Sequence, residues 1–142
     1  MTKINDVMDQ SNVAFGTSGA RGLVVDMTDE VCFIYALGFL QYLTSSGQFA
    51  RGGKVGIAGD FRPSSPRIMK ALKAAVHFHG SEYLDCGSIP SPAIAYFGIL
   101  KSMPTMMVTG SHIPDDRNGI KFNTALGEIL KQDEEGIRSQ VV

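Results

Sequence analysis

The segment PTMMVTGSHIPDDRNGIKF, residues 104–122, gives the clearest indication of the fold of this 142-residue chain. PTMMV is an apolar run typical of a buried strand, and Ile120–Phe122 is typical of a short return strand. The residues between the two runs that favour turns are Gly110, Pro114, Asp115, Asp116, Asn118 and Gly119. Because the second run follows too closely for a crossover helix, we expect the two strands to be antiparallel.

Outward from this segment, apolar runs of strand length alternate with runs of helix length. Thr28 is predicted to cap a helix that ends near Gly47. Ser65 and Ser91, each followed by proline, are predicted to cap two more helices. Further predicted strands are KVGIAGD at residues 54–60 and EYLDCG at residues 82–87. This alternation predicts an α/β three-layer sandwich, α/β/α, with a mixed, mostly parallel sheet of about four strands.

The two ends of the chain show weaker patterns. Residues 1–14 are polar and lack a period, so they are predicted to form an N-terminal arm, and the domain is assigned to residues 15–142. A polar hairpin is predicted around Leu126–Gly127. QDEEGIRSQVV, residues 132–142, is predicted to begin a further helix.

Composition excludes several classes of protein. The chain is 44% hydrophobic and 19% charged, which is typical of a globular domain. Its net charge is −1 and it has no basic stripe, so nucleic acid is not an expected partner. The most apolar run, Val31–Leu43, is shorter than the ~20 residues of a membrane helix, so no membrane is expected. Cys32 and Cys86 lack CxxC spacing and are predicted to be reduced thiols of a cytoplasmic protein.

Ser111 and His112 are adjacent at the end of the predicted strand, and Lys121 follows in the return strand. A serine hydrolase is disfavoured, because triad partners usually come from separate segments and no G-x-S-x-G elbow is present. A serine that carries a phosphate, balanced by donors of a Gly-rich turn and a lysine, suits phosphoryl transfer. The spacing also fits a polar turn with a capping serine, so both interpretations stay open at this point.

GTSGARG, residues 16–22, combines three glycines, two hydroxyls and an arginine. Its amides are able to approach an anion closely, although it is neither a Walker A sequence nor G-x-G-x-x-G. A flexible lead-in to a strand is the alternative. In GDFRPSS, residues 59–65, Arg62 is predicted to form a structural pair with Asp60 rather than to contact an anion at the helix start.

Other polar clusters are interpreted as structural. His77 and His79 are two residues apart on a predicted helix, so their side chains point apart and do not form a metal pair. Asp115 and Asp116 lie in a turn, where two exposed carboxylates are usually solvated.

Taken in order, FGTSGARG, GDFRPSS and TGSHIP followed by NGIKF resemble the α-D-phosphohexomutases, which include phosphomannomutase and phosphoglucomutase. FGTSGARG resembles the N-terminal active-site loop of that family, and GDFRPSS resembles its G-x-D-x-R-x-S segment. TGSHIP and NGIKF resemble its phosphoserine loop, T-A-S-H-N-P followed by N-G-x-K. The resemblance covers most of residues 15–123 and implies the first of the family's four domains.

The resemblance also implies roles for individual residues. Ser111 would be the phosphorylated serine, with His112 beside the transferring group and a magnesium ion on a phosphoserine oxygen. Lys121 and Arg21 would neutralise charge or assist proton transfer. Binding of substrate or phosphate is carried over to Thr17, Ser18 and Asn118. The implied reaction interconverts hexose 6-phosphate and hexose 1-phosphate through a hexose 1,6-bisphosphate.

The chain departs from the family pattern in two respects. Gly110 stands where alanine is usual, and Ile113 stands where asparagine is usual. The D-G-D-G-D-R metal loop and the later sugar- and phosphate-binding loops have no match. We therefore expect the isolated chain to be inactive, with a hexose phosphate and the remaining domains of a longer parent chain as its partners. The alternative is a non-catalytic paralogue or fragment that binds a sugar phosphate or a protein.

Overall fold

A computed structural model describes residues 1–142, which form five helices and one sheet. The helices are α1 (Ile4–Ser11), α2 (Asp29–Ser45), α3 (Ser65–His79), α4 (Ser91–Lys101) and α5 (Lys131–Arg138). The strands are β1 (Ala14–Phe15), β2 (Gly19–Leu23), β3 (Lys54–Gly59), β4 (Glu82–Asp85), β5 (Thr105–Val108), β6 (Arg117–Thr124) and β7 (Gly127–Glu128). Helices cover both faces of the sheet, so the predicted α/β/α sandwich is confirmed.

The sheet has seven strands in the order β1-β2-β6-β5-β3-β4, with β7 paired to β6. The predicted return strand is β6, and it runs antiparallel to β5 as expected. Parallel pairing is limited to β3 with β4 and β3 with β5, so the sheet is mixed without being mostly parallel. The sequence prediction of about four strands was low because β1, β2 and β7 are short and lie beside glycine-rich turns.

The two faces of the sheet are packed to different degrees. We call the side covered by α2 and α3 the core face, where 24 buried hydrophobic residues form one cluster. We call the opposite side the α4 face, where the buried cluster contains only Ala58, Ile94 and Met107. Because side chains alternate along a strand, Ile120 and Phe122 of β6 point to the core face and Lys121 points to the α4 face.

The predicted helix starts are correct to within one residue. Thr28 caps α2, because its Oγ1 accepts a hydrogen bond of 3.2 Å from the N–H of Val31. Ser65 and Ser91 are each the first residue of a helix rather than its cap, and the following proline is the second residue. Proline is tolerated throughout the first turn because the N–H groups there have no partner within the helix, so the Ser-Pro pattern does not define the cap to a single residue.

The predicted N-terminal arm, residues 1–14, is instead part of the packed structure. Residues 4–11 form α1, whose Ile4 and Val7 are buried in the core cluster. The backbone of Thr2 exchanges hydrogen bonds of 2.7 and 2.8 Å with Val142, which joins the two ends of the chain. The apolar stripe of α1 was missed because a helix of 8 residues offers only one repeat of the i, i+3 pattern.

Both cysteines have free thiols, as predicted. Burial raises the pKa of Cys32 to about 12, so this thiol is protonated and unreactive. Burial also raises the pKa of the partly exposed Cys86. None of the helices combines the length and the apolar character needed to cross a membrane.

Candidate active site

The loop between β5 and β6 carries Ser111 at the carboxyl end of β5. Ser111 and His112 are exposed, and the backbone of Ser111 has a φ of 55°. A positive φ is uncommon for a residue other than glycine and persists only where surrounding contacts hold it. Here the N–H of Ser111 donates to Thr109 Oγ1 at 3.0 Å, and the N–H of Ile113 donates to the Gly110 carbonyl at 3.1 Å.

Arg62 lies beneath this loop, with only 9% of its side chain exposed. Its Nε donates to Asp60 Oδ2 at 3.2 Å, which confirms the predicted Asp60–Arg62 pair. Its two terminal nitrogens donate to four backbone carbonyls of the loop and the start of β6. These carbonyls belong to Ser111 (3.1 Å), Ile113 (2.5 Å), Pro114 (2.7 Å) and Arg117 (3.3 Å). One guanidinium therefore holds most of the loop backbone.

Asp60 is the counter-ion of Arg62 and also binds the loop. Its carboxylate accepts hydrogen bonds from Ser65 Oγ at 2.5 Å and from the N–H groups of Arg62 at 3.1 Å and Gly110 at 3.2 Å. Burial by itself would raise the pKa of Asp60, but the bond from Ser65, the backbone bonds and a bond from Thr109 together lower it. Asp60 is therefore ionised at neutral pH, and it balances the charge of Arg62.

Two cations lie on the α4 face without strong partners. In the antiparallel pairing of β2 with β6, Arg21 is opposite Gly119 and Lys121 is opposite Gly19. The Arg21 stem lies over Gly119, where an added Cβ would be 3.1 Å from its Cγ. Arg21 makes no side-chain hydrogen bond or ion pair in the structure, and Lys121 Nζ lies 3.9 Å from Glu128 Oε1. Arg21 is therefore free to balance an added anion, and Lys121 is held by only one long ion pair.

The loop with Thr17 and Ser18 is a hairpin turn between β1 and β2. The N–H of Gly16 donates to the Gly19 carbonyl at 2.8 Å, and Ser18 has a φ of 56°. The Ser18 carbonyl accepts from the N–H of Phe122 at 3.1 Å, so this turn lies further along β6 than the Ser111 loop. The structure thus places Lys121 on β6, beside β5, and Arg21 on β2, beside β6. Thr17 and Ser18 line a cavity of about 600 Å³ with Lys131 and with Glu128, the residue that lies 3.9 Å from Lys121 Nζ.

Asn118, which the resemblance assigned to phosphate binding, is fully buried. Its Nδ2 donates to Ser64 Oγ at 2.8 Å and to Ser65 Oγ at 3.1 Å, and its Oδ1 accepts from the N–H of Gly119 at 2.8 Å. Every polar atom of this amide is used, so Asn118 does not face a ligand in this structure. It joins β6 to the start of α3 and supports the loop from below.

The residues near Ser111 do not form a metal site by themselves. The structure contains no group of three or more histidine, cysteine, aspartate or glutamate side chains arranged to hold a metal ion. Asp60 is occupied by hydrogen bonds, and Asp115 Oδ1 lies 3.4 Å from Arg62 Nη1. His79 is also not a ligand, because its ring contacts Thr44 and Ser81.

Comparison with known proteins identifies the family. The model of phosphoglucomutase/phosphomannomutase, alpha/beta/alpha domain I, matches residues 12–142. The chain belongs to this family. The match includes the Ser111 loop, the Asp60–Arg62 segment and the β1–β2 hairpin, and so the resemblance seen in these segments is confirmed at the level of the family.

Individual relatives agree with this assignment. The chain is 46% identical over 132 residues to a phosphomannomutase of Salmonella muenchen and 45% identical over 123 residues to one of Sinorhizobium fredii. These matches cover 93% and 87% of this chain. A phosphoglucosamine mutase of Thermotoga neapolitana is 34% identical over 108 residues, which cover 75% of this chain. The chain spans only about a quarter of the length of these curated relatives: 27%, 26% and 24%.

Solved structures of the family share the fold. A protein of Thermus thermophilus, provisionally described as a phosphomannomutase, superposes with a TM-score of 0.78 at 27% identity. That superposition covers 89% of this chain and 29% of the other. A phosphoglucomutase/phosphomannomutase family protein of Burkholderia thailandensis has a TM-score of 0.73 at 24% identity, and it supports the fold alone. It covers 96% of this chain and 30% of the other.

Sequence reasoning missed two features of this family member's loop. The first is the set of carbonyl contacts made by Arg62, since only its pairing with Asp60 was predicted. The second is the burial of Asn118. The signal for both was present in the order of the segments, because the end of β3, the start of α3 and the end of β5 meet at one edge of a parallel pair. No single segment of the sequence showed which side chain would contact which backbone group.

Proposed function

We propose that this chain is the phosphoryl-carrying domain I of a phosphohexomutase that interconverts hexose 6-phosphate and hexose 1-phosphate. The observation that supports this most directly is the geometry of Ser111, which is exposed at the carboxyl end of β5 on a loop held by Arg62. Phosphoryl transfer needs an exposed nucleophile at a fixed position and nearby positive charge. Lys121 on β6, which pairs with β5, and Arg21 on β2, which pairs with β6, are the proposed source of that charge.

In the proposed reaction, phosphoserine 111 donates its phosphoryl group to the free hydroxyl of a hexose phosphate. The bond between Ser111 Oγ and phosphorus breaks, a bond from the sugar oxygen to phosphorus forms, and the sugar hydroxyl loses its proton. The hexose 1,6-bisphosphate then returns its other phosphoryl group to Ser111. His112 is exposed beside Ser111 and is the proposed group for moving that proton, while Arg21 and Lys121 balance the phosphate charge.

Magnesium and further residues are part of the same proposal. A phosphate on Ser111 would give a Mg²⁺ ion one oxygen ligand, and this chain does not supply the remaining ligands. When bound, the ion would neutralise charge on the transferring group. We therefore propose that the remaining domains of a longer protein complete the site, that the isolated chain does not turn over hexose phosphates, and that the protein works in the cytoplasm.

The test uses phosphate content and turnover together. The full-length protein that carries this chain is incubated with glucose 1,6-bisphosphate or mannose 1,6-bisphosphate, and intact mass is measured for wild type and Ser111→Ala. We expect one added phosphate on wild type, none on Ser111→Ala, and loss of nearly all turnover in the variant. The isolated chain is the control and should show no turnover. An active Ser111→Ala protein would rule out the proposal.

The second candidate function is a non-catalytic domain that binds a sugar phosphate. Ile113 is the feature that favours it, because this position carries no side-chain donor toward a ligand. Wild-type protein that binds a hexose phosphate in calorimetry but never carries phosphate on Ser111 would support this second candidate. Thermal shift with the same ligands distinguishes it from a protein that binds nothing.

A further inference from the structure

We propose that Arg62 is the positioning residue of the Ser111 loop, and that it orients the peptide between Ser111 and His112 so that its N–H faces outward as a fixed donor for the phosphate. This proposal deepens the proposed function and depends on it for its catalytic meaning. Its structural part, that Arg62 sets the loop conformation, stands on contacts within this chain. The two parts are tested by separate measurements.

The contacts of Arg62 are the first argument. The carbonyls of Ser111 and Ile113 have no hydrogen-bond donor in the structure other than the Arg62 guanidinium. The same group also binds the Pro114 carbonyl at 2.7 Å. The loop has no helix or strand pairing between Thr109 and Asp116, so these bonds replace the missing regular structure. The Pro114 carbonyl also accepts from the N–H of Arg117 at 3.0 Å, so removing the guanidinium would leave the carbonyls of Ser111 and Ile113 unpaired and would release that part of the loop.

The orientation of one peptide group is the second argument. All peptide bonds are trans, and in a trans peptide the C=O and the following N–H point in opposite directions. Because the Ser111 carbonyl points at Arg62 Nη2, the N–H of His112 points away from Arg62. That N–H has no partner in the structure, whereas the N–H groups of Ser111 and Ile113 on either side of it are bonded. A free amide of this kind, next to a serine with positive φ, is suited to bind an anion.

The Arg62 guanidinium occupies the space where a side chain at position 110 would lie. An added Cβ on Gly110 would overlap the central carbon of the Arg62 guanidinium and would lie 2.8 Å from Nη1. The guanidinium therefore lies directly against the Gly110 backbone, and the absence of a side chain at this position gives it room. A chain with alanine here has to place its arginine differently. Gly110 and Arg62 thus act as a pair in this protein.

Charge alone does not explain the arrangement, because Asp60 already neutralises Arg62. The planar guanidinium presents donors on three nitrogens in fixed directions, and here all three are used. A lysine has a single nitrogen and cannot reach Asp60 and the carbonyls on both sides of the loop together. The proposal therefore predicts that a lysine at position 62 keeps the charge but not the function.

The experiment compares Arg62→Gln and Arg62→Lys with Arg67→Gln in the full-length protein. Arg67 is a matched control, because it also joins backbone carbonyls, those of Met27 and Val24, to the carboxylate of Asp29, but makes no hydrogen bond to residues 109–117. We expect both Arg62 variants to lower kcat by about 10²-fold with KM changed by less than about threefold, since a misplacement of ~1 Å costs about that much. Arg67→Gln should leave kcat unchanged.

Amide hydrogen exchange supplies the readout that does not need activity. In Arg62→Gln, peptides covering residues 110–117 should exchange faster, while peptides from α2 and β6 beyond residue 118 keep wild-type rates. Gly110→Ala alone should make the same peptides exchange faster than in wild type. In the double variant with Arg62→Gln, it should add no further increase in exchange. Unchanged loop exchange in Arg62→Gln, or full kcat in Arg62→Lys, would overturn the proposal. Faster loop exchange in Arg62→Gln, combined with no turnover by the wild-type full-length protein, would instead reject the proposed function and leave the positioning role intact.

Discussion

The core face and the α4 face of the sheet differ although the same strands build both. On β6, Ile120 and Phe122 are buried against the helices of the core face, whereas Lys121 between them is partly exposed on the other side. On β2, Ala20 is likewise buried on the core face, whereas the unpaired Arg21 lies on the α4 face. Neighbouring positions in the sequence therefore serve different purposes: one set stabilises the fold, and the other carries the free charge of the candidate site.

Helices also cover the core face more completely than the α4 face. Four of the five helices pack on the core face, where Tyr35, Phe39 and Phe122 are fully buried. On the other side, α4 buries only Ile94 and Gly98 and leaves Tyr96 and Leu100 more than 60% exposed. Because the two faces are divided in this way, substitutions on them should separate stability from activity.

The largest expected effect is on stability at Phe122. Phe122→Ala should lower the free energy of unfolding by about 3–5 kcal/mol, because it leaves a cavity among Phe15, Phe39 and the rest of the core cluster. Urea unfolding followed by circular dichroism measures it. The control is the adjacent Lys121→Ala, which should change the free energy of unfolding by less than about 0.5 kcal/mol. Equal losses for the two would contradict the division into faces.

Lys121→Ala should in turn affect turnover in the full-length protein. Under the proposed function its ammonium balances phosphate charge, and removal of one such group costs roughly 10²–10³ in rate. Steady-state kinetics on hexose 1-phosphates measures this change. His112→Ala should fall in a similar range if the imidazole moves the proton. Wild-type rates in both variants would mean that the α4 face does not carry the chemistry.

The next effect compares one asparagine on each face. Asn118→Ala should cost about 1–3 kcal/mol of unfolding free energy, because it leaves the buried Ser65 hydroxyl and the partly buried Ser64 hydroxyl without their donor. Asn123 on the other face makes one side-chain bond, to Thr105 Oγ1 at 3.1 Å, so Asn123→Ala should cost about 1 kcal/mol. A thermal melt of each variant provides the comparison, and the reverse order would weaken the role given to Asn118.

A pH-dependent effect belongs to the core face. Burial lowers the pKa of His79, and the nearby Arg51 lowers it further. Its neutral ring contacts Ser81 Oγ at 2.8 Å and Thr44 Oγ1 at 3.0 Å. As the pH falls, His79 is therefore protonated in the unfolded chain before it is protonated in the folded chain. The contribution of His79 to stability is complete above the unfolded pKa of about 6.5 and decreases as the pH falls below it.

Urea unfolding between pH 5 and pH 8 checks this prediction. His79→Gln should flatten the dependence on pH, and the exposed His77→Gln is the control that should leave it unchanged. If the free energy of unfolding of His79→Gln depends on pH as strongly as that of wild type, another group causes the effect.

The smallest expected effect is at Leu100, which is 63% exposed on α4. Leu100→Ala should change the free energy of unfolding of the 142-residue chain by less than about 0.5 kcal/mol. The matched substitution is Leu72→Ala, on α3, where burial is complete and about 2–5 kcal/mol should be lost. Thermal melts measure both. A large loss at Leu100 would show that α4 is packed more tightly than its exposure indicates.

The fold was largely predictable because its signals are local. Turn residues between two apolar runs define β5, the loop and β6, and Thr28 defines the start of α2 through a bond three residues away. The short strands were not predictable in this way, because β2 contains two glycines and owes its place to pairing with β6. The role of Arg62 was also hidden, because its carbonyl partners follow it by 49 to 55 residues. Ser111, by contrast, was identified as a candidate from its motif and its place after a strand.

The register between β2 and β6 has a consequence for how this protein tolerates insertions. Gly19 is paired with Lys121, and Arg21 is paired with Gly119. This one register places both cations on the α4 face and the core residues Ile120 and Phe122 on the core face. Shifting β6 by a single residue would turn Lys121 into the core and expose Ile120 and Phe122. Natural or engineered length changes should therefore accumulate in the turns beyond the paired segments. Within β6, one inserted residue would remove folding and charge placement together.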